Sequence, residues 1–351
     1  MTDAPWEVTT RADDLVVLHR RRVGAEAGAG AEVRRIEGLD PDAEVTLDGL
    51  DVRTLPRPGG ALLTRIATVN DVHFGEVECG RIDDHPSGPI QRSADGERPY
   101  PEVMNAAAAA EIAAIEPAAV IVKGDLTRAG TLDEFMAFDQ CWLRGFGERL
   151  HVVRGNHDAY EGQHVYHGDR WIVLDGVIVA LMDTVIPHQT TGRLTPEQVT
   201  WLDDHAATAD RPVLVMGHHQ QWVPDPGDAT PRRSDDYFGL HPDSSDALAA
   251  VIARRRAIVA YTSGHTHRHR VRRTAAGVPS VEVGCVKDFP GTWAEYRVYE
   301  RGILQVVHRM SSPDALAWSE RCRHLYADFG VDYATYALGQ LDDRCFEIAL
   351  R

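Results

Sequence analysis

The stretch Ala118–Asp125, AAVIVKGD, predicts a short strand that ends at a glycine and a carboxylate. The segment before it, PEVMNAAAAAEIAAIEP, predicts a helix that begins near Pro101 and ends at Pro117. The segment after it, TLDEFMAFDQCWLRGFG, predicts a second helix, with Thr131 as its N-cap and Glu134 completing a capping box. A strand between two helices in this way favours an α/β fold.

The alternation continues on both sides of that strand. Further strands are predicted at LLTRIATVND, LHVVRGNHD, DGVIVALMDT, RPVLVMGHH and AIVAYTSGHTH, and further helices at TPEQVTWLDDHA and SSDALAAVIARRR. Five strands end in side chains that can bind metals: Asp71, His73, Asp125, Asn156, His157, Asp158, His218, His219, His265 and His267. Because ligands bind at the carboxyl edge of an open α/β sheet, these residues predict one shared site.

The ligand types indicate which metals the site would take. Short patterns such as GD or DxH are weak evidence singly, but their occurrence at five strand ends favours a metal site over coincidence. Imidazole and carboxylate ligands without thiolates suit manganese, iron or zinc better than calcium or magnesium. Two such ions close together can generate a nucleophile from water and hold phosphate oxygens.

Composition excludes several other classes of protein. The chain has 351 residues, 43% hydrophobic and 26% charged, with a formal charge of -16, which argues against a generic duplex nucleic-acid binder. An anionic substrate remains compatible, because bound cations can invert the local field. We find no membrane-spanning run and no signal peptide, and the five cysteines are scattered, so we expect a cytoplasmic protein with reduced thiols.

The chain divides into three predicted regions. Residues 1–58 predict a small β-rich unit, residues 61–310 a catalytic domain, and residues 311–351 a helical C-terminal extension. After Thr266 four strands follow without intervening helices, which favours an antiparallel meander. The connection 74–102 is longer than ordinary loops, and loops of this length are usually functional or disordered. We expect this connection, the segment 220–239 and the C-terminal helices to surround the substrate pocket.

The motifs DVH, GD, GNHD, GHH and GHTH, taken in this order, resemble those of the calcineurin-like metallophosphoesterases. The resemblance covers about residues 62 to 310. It implies an αββα sandwich, in which two mixed sheets are flanked by helices, and two-metal hydrolysis of a phosphoester by a metal-bridged hydroxide. The residues within and around the motifs are most similar to those of the branch that contains bacterial cyclic-nucleotide and glycerophosphodiester phosphodiesterases.

The resemblance also implies a role for each motif residue. One metal would be bound by Asp71, His73, Asp125 and His267, and the other by Asp125, Asn156, His218 and His265, with Asp125 bridging the two. His157 would assist the leaving group as a general acid or as an imidazolium, and Asp158 would orient His157.

For several residues near these motifs, two interpretations remain open. His219 either contacts substrate or packs behind the ligands, and Trp222, Tyr237 and Phe238 either stack on a substrate group or pack a long loop. His269 is interpreted as a solvated strand residue or a base on the substrate side rather than a ligand. Asp83, Asp84 and His85 are interpreted as a polar lid surface rather than a ligand trio.

The expected substrate is a small phosphodiester, either a cyclic nucleotide or a glycerophosphodiester. No arginine follows the GNHD motif directly, which disfavours a clamp for the dianion of a monoester. A phosphomonoesterase, a nuclease and a metal-binding scaffold without catalysis remain the alternatives. The resemblance further implies a homodimer, in which the C-terminal region would cover a partner's site.

Overall fold

The computed structural model describes residues 4–22, 30–81, 88–224 and 237–351. Two six-stranded sheets stack face to face, and helices cover the outer face of each sheet. The core between the sheets contains side chains from both, among them Ile121 from one sheet and Met216 from the other. The expected αββα sandwich is therefore confirmed.

The first large sheet has the order β17-β16-β15-β6-β7-β8. Strands β6, β7 and β8 are parallel, while β15, β16 and β17 continue the sheet in antiparallel pairs. The strands are β6 (Leu62–Val69), β7 (Ala119–Lys123), β8 (Leu150–Val153), β15 (Thr292–Tyr299), β16 (Gly302–Arg309) and β17 (Phe346–Ala349).

The second large sheet has the order β13-β14-β12-β11-β10-β9. Strands β10, β11, β12 and β14 are parallel, and an antiparallel strand lies at each edge. The strands are β9 (Arg170–Leu174), β10 (Val177–Leu181), β11 (Val213–Met216), β12 (Ile258–Ser263), β13 (Arg270–Arg273) and β14 (Pro279–Glu282).

The helices that follow Thr131 and Thr195 begin where the sequence predicts them. Thr131 caps α2 and forms the capping box with Glu134, and Thr195 caps α4 in the same way. The helix predicted after Thr131 is interrupted by a π-helical turn at Asp139–Leu143. The helices are α1 (Tyr100–Ala114), α2 (Leu132–Phe138), α3 (Arg144–Phe146), α4 (Pro196–Ala207), α5 (Pro242–Arg254), α6 (Pro313–Arg321), α7 (Tyr333–Leu338) and α8 (Leu341–Arg344). Within the described ranges, none of the helices has the length and apolar character needed to span a membrane.

The antiparallel meander predicted after Thr266 is wrong. Strands β13 and β14 form a hairpin in the second sheet, whereas β15 and β16 form a hairpin in the first. Both β14 and β15 are buried along their whole length, as expected of strands inside a sandwich. Sequence alternation indicates that a segment is a strand, but it does not specify which sheet the strand joins.

The C-terminal region is helical only in part. Helices α6, α7 and α8 are followed by β17, which pairs with β16 at the edge of the first sheet. Ile348 of β17 is buried in the core between the sheets. The segment is therefore a structural component of the sandwich as well as a helical extension.

The N-terminal region is β-rich and packs on the first sheet. It contains β1 (Glu7–Arg11), β2 (Leu15–Arg21) and β3 (Ala31–Glu37) in one sheet, and the hairpin β4 (Glu44–Leu47) and β5 (Leu50–Arg53). Its apolar side chains share a cluster with Leu304 and Val306 of β16. The Asp13 carboxylate is fully buried and accepts hydrogen bonds from Arg297, at 2.7 Å, from Tyr299, at 3.0 Å, and from Arg57.

Replacing Asp13 with asparagine is expected to lower the free energy of unfolding by about 2 kcal/mol, because its charged hydrogen bonds to Arg297 and Arg57 are weakened. Arg297 keeps Asp14 and Glu295 as charge partners. Burial raises the pKa of Asp13, but Arg57 and Arg297 outweigh burial and lower it. A lowered pKa contributes stability that is complete above about pH 4 and disappears as the pH falls further. Urea unfolding at pH 7 and pH 3 should therefore show a smaller difference between variant and wild type at pH 3.

Asp14→Asn is the matched control, since the half-exposed Asp14 contacts the same nitrogen of Arg297 at 2.7 Å. Its effect on the free energy of unfolding should stay below about 1 kcal/mol. If both variants lose the same free energy of unfolding, the stabilising role of the buried Asp13 carboxylate would be contradicted.

Candidate metal centre

Five of the predicted ligands adopt a left-handed backbone conformation. Their φ angles are 54° at Asp71, 48° at His73, 52° at Asp125, 69° at His265 and 53° at His267. Residues other than glycine rarely adopt this conformation, and clusters of such residues are typical of functional sites. Each of these residues lies just beyond the carboxyl end of a strand, and their side chains cluster there.

Glycines allow these turns to pack against one another. A Cβ atom at Gly155 would lie 2.2 Å from the backbone nitrogen of Asp125, which no side chain can tolerate. A Cβ atom at Gly264 would lie 2.7 Å from a carboxylate oxygen of Asp71. The glycines of the GNHD and GHTH motifs are therefore required by close approach.

The first predicted set of ligands converges around Asp71 and His267. Nε2 of His267 lies 3.5 Å from Oδ1 of Asp71, and Nε2 of His73 lies 3.5 Å from Oδ2 of Asp125. The Asp71 carboxylate also accepts a hydrogen bond from the backbone N–H of His265, at 3.0 Å. The structure thus brings together all four residues of this set.

The second set converges on the same oxygen of Asp125. Nε2 of His218 lies 3.3 Å from Oδ2 of Asp125 and 3.0 Å from Oδ1 of Asn156. The rings of His218 and His265 have centroids 5.0 Å apart. Oδ2 of Asp125 therefore lies between an imidazole of each set, which is the position that a bridging ligand requires.

The donor atoms fit a pair of metal cations. Among the described residues, Nε2 of His265 and both ring nitrogens of His73 are buried without a hydrogen-bond partner, although Oε2 of Glu76 lies 3.2 Å from Nδ1 of His73 without hydrogen-bonding geometry. Asp71 and Asp125 are 0% and 2% exposed. Buried carboxylates and unpartnered imidazoles are both costly, and cations bound between them would satisfy both.

Hydrogen bonds behind the ligands determine which ring nitrogen faces the centre. Nδ1 of His218 donates to the carbonyl oxygen of Lys123, at 2.8 Å, so Nε2 is the ring nitrogen that faces Asp125. Nδ1 of His267 lies 3.3 Å from Oδ2 of the buried Asp288. Carboxylate or carbonyl partners of this kind commonly orient metal-binding histidines.

The charges at the centre are strongly coupled. Burial raises the pKa of Asp125, but His218 and His157 outweigh burial and hold it well below its usual range. Burial lowers the pKa of His218, but Asp125 outweighs burial and raises it to about 9. Asp125 is therefore a carboxylate at neutral pH, as a metal ligand must be.

The role expected for Asp158 is wrong. Its carboxylate accepts hydrogen bonds from the backbone N–H groups of Leu126, Thr127 and Gly155, at 2.7 to 3.0 Å, and from the hydroxyl of Thr127. His157 is oriented instead by the carbonyl oxygen of Arg128, which lies 2.8 Å from its Nδ1. Asp158 thus joins two motif turns, because its short side chain reaches the nearby backbone rather than the imidazole.

A cavity of about 1020 Å³ opens over the centre. His73, Asp125, Asn156, His157, His265 and His267 line its floor. Its walls contain residues of the long connection, of the segment around Phe238 and of the C-terminal region, namely Glu76, Val77, Glu78, Gly80, Arg81, Phe238, Tyr326, Val331, Tyr333 and Tyr336. These three segments are the ones expected to surround the substrate, but the C-terminal region lines the cavity of its own chain.

The structure corrects the tentative substrate contacts. His219 is fully buried, and its ring nitrogens lie 2.7 Å from the hydroxyl of Thr184 and 3.1 Å from the carbonyl oxygen of Thr190. Trp222 and Tyr237 lie outside the cavity lining that the described residues form. Phe238 lines the cavity instead, and its half-exposed ring stacks on His265 at 4.1 Å.

His269 is neither solvated nor on the substrate side. It is 2% exposed, and its Nδ1 accepts a hydrogen bond from the backbone N–H of Gly284 while its Nε2 lies 3.2 Å from the hydroxyl of Thr292. Burial lowers its pKa well below the usual range, so it is a neutral core residue. The polar trio Asp83, Asp84 and His85 lies outside the described residues.

Asp288 and Lys287 were not anticipated from the sequence. They follow β14, which runs parallel to β12 and therefore ends at the same edge of the sheet. The signal was the polar pair in GCVKD after a strand, and it was missed because that strand was assigned to an antiparallel meander.

Residues 64–269 match the family model described as calcineurin-like phosphoesterase. The chain belongs to this family. The family consists of phosphoric ester hydrolases that use a dinuclear metal centre, which agrees with the clustered donor atoms. The C-terminal residues that line the cavity lie beyond the matched region.

Individual relatives are distant. The chain is 27% identical over 158 residues to a protein of Synechococcus sp. named "probable cyclic nucleotide phosphodiesterase", and the match covers 43% of this chain and 58% of that protein. The crystal structure of a dimetal phosphatase from Danio rerio has a TM-score of 0.50 at 14% identity, covering 71% of this chain and 97% of that one. A purple acid phosphatase from yellow lupin has a TM-score of 0.49 at 12% identity, covering 85% of this chain and 57% of that one.

Replacing His265 with alanine is expected to remove one of two bound manganese ions, since its unpartnered Nε2 is then lost from one ligand set. Replacing Asp125 with asparagine should weaken the binding of both ions, because Oδ2 of Asp125 lies between the two sets of ligands. Metal content after dialysis against Mn²⁺ and gel filtration measures both effects. His164→Ala, at an exposed histidine outside the cavity lining, should retain both ions. Two retained ions in the His265 variant would refute the ligand set.

Proposed function

We propose that the protein is a dinuclear-metal-dependent phosphodiesterase that hydrolyses a small diester such as a cyclic nucleotide or a glycerophosphodiester. The ions would be manganese, iron or zinc, in keeping with imidazole and carboxylate donors. When bound, they would supply positive charge for the phosphate oxygens and lower the pKa of a water molecule. The proposal includes a cytoplasmic location, for which the five unpaired cysteines are the support.

The charge balance of the cavity wall is the observation that carries the diester proposal. Lys287 pairs with Glu76 at 2.8 Å, and Arg81 pairs with Glu78 at 2.7 Å. Arg128 is the one cation of the lining without a carboxylate partner in the described part of the chain. A phosphomonoester carries a second negative charge and favours several unpaired cations, whereas a diester carries one.

The aromatic side chains of the wall support a substrate with a flat or apolar ester group. Phe238 is half exposed, and Tyr336 and Tyr326 lie on the side that the C-terminal region forms. Rings of this kind can stack on a nucleobase or cover an apolar alcohol. The name of the Synechococcus relative points to cyclic nucleotides, and its match covers 58% of that protein.

His157 is suited to protonate the leaving oxygen. Because a carbonyl oxygen only accepts, Nδ1 of His157 donates its N–H to Arg128, and Nε2 is the nitrogen left for the cavity. A protonated Nε2 can donate to the alkoxide as the ester bond breaks. The backbone N–H of His157 also donates to Oδ1 of Asp125, at 3.0 Å, which ties the acid to the metal centre.

Replacing His157 with glutamine is expected to lower kcat about 100-fold on a diester with an alkyl leaving group and much less on bis-p-nitrophenyl phosphate, whose leaving group needs no proton. Metal content should remain that of the wild type. Equal losses on the two substrates would contradict the acid role, and a loss of metal would indicate a structural role.

The first functional measurement compares bis-p-nitrophenyl phosphate with p-nitrophenyl phosphate, using the manganese-loaded protein. We expect a higher kcat/KM for the diester, because the cavity wall is nearly neutral. A preference for the monoester would replace the proposal with a phosphatase, and turnover of single-stranded DNA instead would replace it with a nuclease. Two bound metals without turnover of any ester would indicate a binding scaffold.

A further inference from the structure

Helix α7 of the C-terminal region braces the loop that carries two of the predicted ligands. The hydroxyl of Tyr336 donates to the carbonyl oxygen of Thr266, at 3.1 Å, and the backbone N–H of His269 donates to the carbonyl oxygen of Ala337, also at 3.1 Å. These two bonds hold the backbone on both sides of His267. The helix lies beyond residue 269, where the match to the family model ends.

A third contact from the same helix reaches the ligand through a carboxylate. The hydroxyl of Tyr333 donates to Oδ1 of Asp288, at 2.8 Å, and Oδ2 of Asp288 lies 3.3 Å from Nδ1 of His267. Tyr333 and Asp288 are 2% and 0% exposed, so the hydrogen bond between them is largely shielded from solvent. A continuous chain of polar contacts therefore runs from the C-terminal region to the metal centre.

The carboxylate has other partners that could turn it away from His267. Sγ of Cys285 lies 2.9 Å from the oxygen that Tyr333 contacts, and Nζ of Lys287 lies 3.6 Å from the other oxygen. Tyr333 restrains the orientation of the carboxylate against these partners. The ring of Tyr333 is itself held by Tyr326, with centroids 5.1 Å apart in an edge-to-face contact.

We propose that Tyr333 is a positioning residue of the metal centre: its hydroxyl holds Asp288 against Nδ1 of His267, so that the C-terminal region sets the affinity of one metal ion. The inference rests on the proposed function, in which His267 is a metal ligand. Partners of metal-binding histidines commonly change metal affinity about 10-fold or more when they are replaced.

The test measures metal binding directly. The metal-free full chain is titrated with Co²⁺, and both dissociation constants and the visible absorption of the bound ions are recorded. Tyr333→Phe is expected to weaken one site about 10-fold and to shift the absorption of that ion, while the other site changes less than about 2-fold. Unchanged affinities at both sites would overturn the proposal.

Tyr336→Phe is the matched control, because it removes a hydroxyl of the same helix that binds the same loop without touching Asp288. Both Co²⁺ affinities should then stay within about 2-fold of wild type. If this variant weakens the same ion as much as Tyr333→Phe does, bracing by the helix explains the effect and the specific role of Tyr333 is refuted.

A double-mutant cycle tests whether Tyr333 acts through the carboxylate. Asp288→Asn should weaken the same ion, and adding Tyr333→Phe to it should cost less than about 3-fold more, since linked residues are not additive. If the loss of Co²⁺ affinity in the double variant equals the sum of the losses in the two single variants, the proposal is overturned. If Tyr333→Phe does not fold, Asp288→Asn alone provides the test. An unchanged affinity of that variant for Co²⁺ would refute the link between Asp288 and the metal ion.

The wild-type titration separates this inference from the proposed function. A wild-type chain that binds no Co²⁺ would refute the dinuclear centre and the inference with it. Two ions bound in the wild type, together with an unaffected Tyr333→Phe variant, would refute the inference alone.

Discussion

The buried carboxylate of Asp125 is the group around which the site is built. Oδ2 of Asp125 lies within 3.5 Å of imidazoles that follow β6 and β11, which belong to different sheets. Oδ1 accepts the backbone N–H of His157, which follows β8. A carboxylate buried in this way is stable only with compensating charge and hydrogen bonds. The strand ends of both sheets therefore have to meet around Asp125, and that requirement sets their relative position.

Lys123, the last residue of β7, reinforces this position two residues before Asp125. Its Nζ donates to the hydroxyl of Thr262 and to the carbonyl oxygen of Ser263, which lie on β12 in the other sheet. Hydrogen bonds from Lys123 thus join the two sheets next to the candidate metal centre. The left-handed residues at the strand ends each cost about 1 kcal/mol, and close packing of the glycine turns holds them in place. The C-terminal region also contacts the candidate metal centre, since the hydroxyl of Tyr333 donates to Asp288.

Much of the fold was predictable because local rules agreed with it. The capping boxes at Thr131 and Thr195 and the prolines at the starts of helices act within a few residues, so sequence neighbours suffice to recognise them. The edge of the sheet that carries the site followed from polar residues at the ends of parallel strands. The sheet partners of β14 and β15 did not follow, because a strand pattern contains no information about pairing across the sandwich.

The sequence by itself determined that histidines, aspartates and an asparagine would gather at one edge of an α/β sandwich, since each stands just after a strand. Only the tertiary structure decided what several of them contact. His219 is the second histidine of the GHH motif and His269 follows the GHTH motif by two residues, yet both rings are buried against hydroxyl and backbone partners. Asp158 binds backbone N–H groups and Asp288 stands behind His267, because such contacts depend on side-chain direction and on loops that are distant in sequence.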